Sequence, residues 1–144
     1  MEEITFHHTL PIQLRFNDVD KFGHVNNTVY FSFYDLGKTE YFAKICPEVN
    51  WEKEGIVVVH IEAEFLSQIF GSDHIAVQTK VSEIGTKSFH LIQRVIDTET
   101  QDAKCVCKSV MVMFDLEKHE SKPLPKEWIE AICDYEEEDV RRKK

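Results

Sequence analysis

Residues 15–42, RFNDVDKFGHVNNTVYFSFYDLGKTEYF, set a polar knot directly against an aromatic run. Positions 18–27 hold two acids, one histidine and two asparagines. Beyond them Tyr30, Phe33, Tyr34, Gly37 and Tyr41 recur at helical spacing, which predicts a helix from about residue 27 to 45. Val29 and Phe31 are apolar too, so the first two turns are greasy nearly all round. That pattern predicts a helix enclosed by the protein rather than lying on its surface. Gly37 costs roughly 1 kcal/mol in a helix interior relative to Ala. Its place on the Tyr30/Tyr41 stripe predicts a close approach of the helix backbone to a sheet.

Strand patterns flank this helix. Residues 4–16 read as a strand, with Ile12, Leu14 and Phe16 alternating against Gln13 and Arg15. Residues 56–66 alternate Val57, Val59, Ile61, Ala63 and Phe65 against His60, Glu62 and Glu64. Residues 74–84, 88–96 and 103–116 follow with turn signals between them, a spacing that suits an antiparallel meander. Lys122-Pro-Leu-Pro breaks the pattern, and residues 126–135 read as a short closing helix before a charged tail. The fold class is α+β: one curved antiparallel sheet of five or six strands wrapping one hydrophobic helix, in a single domain over residues 1–144. Strand order within the sheet is not legible.

Bulk properties narrow the function. The chain has 144 residues, 42% hydrophobic and 30% charged, enough for a real core without disulfides or metal. A net charge of -9 argues against nucleic acid as a partner, since backbone binding runs on clustered Lys and Arg. The basic cluster at residues 141–144 follows the acidic run 136–139, which reads as a solvated tail. No run approaches the ~20 apolar residues of a membrane span. The opening MEEITFHHT has neither the basic nor the apolar region of a signal peptide. Cys46, Cys105, Cys107 and Cys133 are therefore expected as free thiols in a reducing cytoplasm.

The knot carries the chemistry. Asn26 and Asn27 are both good N-caps for the helix. The first helical amides lack intrahelical partners and the macrodipole adds partial positive charge, so this end suits an oxygen that is becoming an oxyanion. Gly23 permits a tight turn just upstream. Asp20 supplies the other half, as nucleophile or general base, and His24 can orient substrate or share proton transfer.

The segment Asp18-Val-Asp20-Lys-Phe-Gly23-His24-Val-Asn26-Asn27-Thr-Val-Tyr30-Phe31 resembles the signature of the hotdog-fold acyl-CoA thioesterases, in the 4-hydroxybenzoyl-CoA thioesterase-like group. The element order matches over about residues 8–116. The resemblance implies hydrolysis of an acyl-CoA or acyl-carrier-protein thioester with no cofactor, coenzyme A entering only as part of the substrate. It places the catalytic carboxylate on Asp20, and the oxyanion and substrate-binding positions on Gly23, His24, Asn26 and Asn27. It also implies a homodimer, or a dimer of dimers, with sites between protomers. The second subunit then offers Glu64-Phe65-Leu66-Ser67-Gln68, with Phe65 and Ser67 as binding positions. A proline common near Gln68 is absent here.

Two other functions fit the same scaffold: a dehydratase or hydratase acting on β-hydroxyacyl thioesters, and a non-catalytic acyl-thioester-binding dimer. No His-x₃-His or Cys-x-x-Cys grouping points to a metal site. No Gly-x-Ser-x-Gly elbow or Gly-rich phosphate loop is present. Lys80, Lys87 and Arg94 are candidates for the coenzyme A phosphates. Nothing in the sequence chooses among them.

Overall fold

A computed structural model describes residues 4–46 and 50–142. Glu2, Glu3 and the last two lysines of the tail lie outside these. In chain order the elements are β1 (His8–Ile12), α1 (Val29–Ile45), β2 (Glu54–Phe65), β3 (Ile75–Ile84), β4 (Ser88–Asp97), β5 (Ala103–Asp115), β6 (Glu120–Ser121) and α2 (Lys126–Glu136). They build a six-stranded antiparallel sheet of order β1-β3-β4-β5-β2, with β6 paired to β5. Helix α1 lies across one face of it.

The meander is real for β3, β4 and β5, but β2 is not its first strand. It pairs with β5 from Glu54↔Asp115 to Phe65↔Cys105, at the opposite edge from β1. The loop of residues 66–74 is too long for a tight hairpin turn and is held elsewhere, as shown below. The first strand is also shorter than its alternation predicts. It ends at Ile12, just after Pro11, which has no ladder donor to give. The chain then enters a 3-10 turn at Phe16–Asp18, and Phe16 is 95% exposed instead of continuing inward.

Helix α1 begins at Val29, two residues later than its periodicity predicts. The Asn26 and Asn27 carbonyls accept the Val29 and Tyr30 amides at 2.9 and 3.3 Å, adding a separate tight turn in front. Tyr30, Phe33, Tyr34, Gly37, Tyr41, Phe42 and Ile45 are buried against the sheet. The opposite side, including Phe31, Asp35, Leu36 and Ala43, is open to solvent. The expectation of an enclosed helix is thus corrected: the protomer covers one face only. Its apolar residues are spread round the helix, but burial follows the sheet.

The contact that seats the helix is at Gly37. A Cβ there would lie 2.6 Å from Val77 Cγ1 and 2.9 Å from Thr79 Oγ1. Beside it, Gln93 Nε2 donates to the Tyr34 carbonyl at 2.9 Å and to Thr79 Oγ1 at 3.0 Å. The buried amide is satisfied only if helix and sheet keep this spacing. Helix α2 closes one end of the core, with Trp128 stacked on Phe42 at 5.8 Å.

The acidic run is not a solvated tail throughout. Glu136 is 2% exposed. Strand β1 pairs with β3 only as far as Thr79, so the edge of β3 beyond it lacks a strand partner. The carboxyl-terminal segment fills that edge. Glu136 Oε2 accepts the Val81 amide at 3.3 Å, and the Ile84 amide reaches the Val140 carbonyl at 2.8 Å. Glu136 also takes a short hydrogen bond from the Tyr41 hydroxyl and an ion pair from Lys80 at 3.3 Å. The backbone donors of an open sheet edge pulled this acid inward.

Two stability measurements follow. Gly37→Ala gains helix propensity, yet the clash with Val77 and Thr79 should dominate, lowering stability by about 1–2 kcal/mol in urea unfolding. Glu136→Ala leaves the Tyr41 hydroxyl and the Val81 amide without their acceptor, while Lys80 keeps Glu138. Its loss should be larger, about 2–4 kcal/mol on the same assay.

Candidate active site

The polar knot folds as a small hairpin. The Asn26 amide donates to the Asp18 carbonyl at 3.0 Å and the Asp20 amide to the His24 carbonyl at 2.9 Å, with Val19 and Val25 bridged between them. Its turn needs Gly23, whose φ of +86 is a conformation that side chains resist. The hairpin's other edge takes the loop after β2: the Val25 amide donates to the Ile69 carbonyl at 2.7 Å, and His24 bridges Phe70. This is what holds residues 66–74 away from a direct turn into β3.

The two acids part company here. Asp18 is buried; its carboxylate accepts the Arg15 amide at 2.8 Å and Arg15 Nη2 at 3.3 Å, which closes the 3-10 turn. Asp20 faces a cavity of about 470 Å³. Its Oδ1 accepts the Phe22 amide at 2.8 Å and the His24 amide at 3.4 Å. These bonds hold the carboxylate in one orientation, and among the described residues no group bonds to Oδ2. Alternation along an extended backbone sends the two side chains to opposite sides.

Asp20, His24, Asn26, Asn27, Phe65 and Ser67 all line this cavity, while Gly23 serves the turn behind it. The asparagines divide their work. Asn26 Oδ1 accepts the Thr28 amide at 3.0 Å and the Thr28 hydroxyl at 2.9 Å, so its side chain is committed to the helix entrance. The Asn27 amide has no acceptor among the described residues. It is a free donor two residues ahead of the first residue of α1. The His24 ring packs edge-on against Phe70 at 5.2 Å. Opposite the helix start, the cavity wall is Phe65-Leu66-Ser67-Gln68 of the same chain. The resemblance assigns that wall to a second subunit. The Val25–Ile69 bond explains why it is already supplied within one protomer.

Sequence reasoning missed Tyr30, which reads only as a core aromatic. It lines the cavity floor, and burial pushes its hydroxyl up to about 12. Its signal was its place one helical turn beyond Asn27. Lys80, Lys87 and Arg94 are absent from the cavity. Lys80 is engaged by Glu136 and Glu138, and Arg94 Nε donates to Gln78. Burial pushes the thiols of Cys46 and Cys107 up to about 12, which removes them as nucleophiles near neutrality. Among the described residues no group of three or more His, Cys, Asp or Glu side chains converges to hold a metal ion.

A fixed carboxylate lining the same cavity as the residues that lead into α1 is an arrangement for attack on a carbonyl. The chain is similar to several known proteins. Acyl-acyl carrier protein thioesterase ATL3 of Arabidopsis thaliana is 24% identical over 111 residues, covering 75% of this chain and 58% of that protein. The uncharacterized protein YsmA of Bacillus subtilis is 26% identical over 80 residues, or 56% of this chain and 54% of that one. The chain thus spans a little over half the length of these curated relatives. A thioesterase from Thermus thermophilus, crystallised with coenzyme A and zinc, superposes with a TM-score of 0.80 at 28% identity, covering 92% of this chain and 96% of the other. The sheet-and-helix architecture is accordingly a hotdog fold. A family model matches residues 14–132, from the hairpin to the closing helix, and by that match this chain belongs to the Thioesterase-like superfamily.

Proposed function

We propose that the protein hydrolyses acyl-CoA or acyl-carrier-protein thioesters to free acid and thiol, with Asp20 as the catalytic carboxylate. The observation that carries this reading is the contrast between Asp18 and Asp20. One acid is spent on Arg15, and the other keeps an oxygen for the cavity that the Asn27 amide adjoins. A thioester carbonyl seated between them would send its developing negative charge toward the Asn27 amide. Asp20 then either attacks the carbonyl carbon, giving a mixed anhydride that water opens, or takes a proton from the attacking water. In both routes the thiolate leaves and is protonated. His24 lies on the cavity wall and can orient the thiol end. Coenzyme A takes part only as substrate, and no further cofactor enters.

A homodimer completes this reading. Strand β2 is an edge strand twelve residues long, and Val57, Val58, Val59, Ile61 and Phe65 are exposed along it. A long apolar edge left open is a template for pairing, and a second copy protects it. Its buried thiols suit a reducing compartment, and we place the enzyme in the cytoplasm.

Asp20→Asn retains Oδ1 as the acceptor of the Phe22 and His24 amides but loses the charge. It should lower kcat for the best acyl-CoA about a hundredfold or more while leaving the melting temperature near wild type. Asp18→Ala should do the reverse, losing about 1–3 kcal/mol of stability with the buried cap. Thiol release from an acyl-CoA panel, run beside melting curves, checks both. Near-normal turnover by Asp20→Asn would overturn the assignment, and a hydratase or a binder would release no thiol. Sedimentation at micromolar concentration should show a dimer that Ile61→Glu converts to monomer; a monomeric wild type rejects the assembly.

A further inference from the structure

Phe65 stands at a boundary. On one side it lines the Asp20 cavity, its ring edge-on to Tyr30 at 5.0 Å and 82°. On the other side the same face of β2 continues through Ala63, Ile61 and Val58. Phe65, Ala63, Ile61 and Val58 lie opposite Cys105, Cys107, Ser109 and Met111, all buried under α1. Directly opposed residues share a face, so these β2 side chains point to the helix side of the sheet. Yet Ile61 and Val58 are exposed, and so is Phe31 on the helix. Helix α1 therefore leaves a trough of apolar side chains uncovered between itself and β2. Ala63, the smallest of them, comes next after Phe65.

We infer that Phe65 is the stop that sets acyl-chain length. This rests on the thioesterase reading and adds to it a substrate class: short acyl groups, with the carbonyl at Asp20 and the chain ending against the Phe65 and Tyr30 rings. Tyr30 is 2% exposed and fixed in the core, whereas Phe65 is 41% exposed and borders open space, so Phe65 is the wall that can be removed. Without its ring the cavity joins the trough over Ala63, and a longer chain gains apolar surface to bury along Ile61 and Val58. A second copy paired along β2 would roof that trough.

The test compares wild type, Phe65→Ala and the intermediate Phe65→Leu on a panel from acetyl-CoA to palmitoyl-CoA. Hydrolysis is followed in the active proteins. Binding is followed calorimetrically in the same three proteins carrying Asp20→Asn. Wild type should prefer butanoyl- or hexanoyl-CoA over dodecanoyl-CoA, and Phe65→Ala should shift that ratio of kcat/KM toward the longer chain by about tenfold or more, with Phe65→Leu between. The binding ratio should move the same way. Leu36→Ala, on the open far side of α1, should leave the profile unchanged. Hydrolysis with the same profile in all variants overturns the inference and leaves the thioesterase reading standing. A shift in binding without any hydrolysis supports the inference and overturns that reading. Absence of both binding and hydrolysis across the panel overturns both.

Discussion

The seat of the central helix on the sheet is the constraint on which the rest depends. Gly37 lets the α1 backbone come within side-chain distance of Val77 and Thr79, and Gln93 bonds across to the Tyr34 carbonyl. That closeness lets Tyr30, Phe33, Tyr34 and Tyr41 reach into the sheet on either side and become fully buried. It also fixes where the helix begins. The amino end of α1 lands beside the hairpin and the loop after β2, so a packing contact near mid-helix determines where Asn27 meets the cavity that Asp20 lines. A substitution at Gly37 should therefore displace the site as well as loosen the core.

Polar groups at the cavity are divided between those spent on local structure and those left facing it. Asp18 and Asn26 spend their side chains on backbone amides at the turn and at the helix entrance. Asp20 spends one oxygen on orientation and keeps the other. For the proposed reaction, preorganisation of this kind matters because a carboxylate free to rotate would solvate itself and lose its aim, whereas one held by two amides would need no reorganisation on binding substrate. The opposite case is Glu136. It is buried far along the chain from the site, yet its partners are a tyrosine hydroxyl, a backbone amide and a lysine, a set that satisfies a charge rather than using it.

Strand order follows from the same hairpin. Once Val25 and His24 pair with residues 69 and 70, the chain leaving β2 is committed to passing beneath the helix start before it enters β3. Strand β2 is then free to add to the far side of β5, and it becomes an edge strand with apolar residues on view. The site and the exposed edge are thus two results of one loop being held.

The periodicities of residues 27–45 and of the four later strands determined the elements, because side-chain spacing repeats with the backbone that carries it. The knot determined its own grouping equally directly: Asp20, Gly23, His24 and the asparagine pair are neighbours in sequence, and a hairpin keeps them neighbours in space. Three things were decided only by the tertiary structure. The face of α1 that is buried follows from the sheet, since an apolar pattern spread all round a helix cannot choose. The position of β2 beside β5 depends on a loop docking onto a hairpin more than forty residues earlier. The burial of Glu136 depends on β1 starting only at His8, opposite Thr79, and leaving the Val81 amide without a strand partner. In each case the decisive interaction joins residues far apart in the chain, and local spacing carries no record of it.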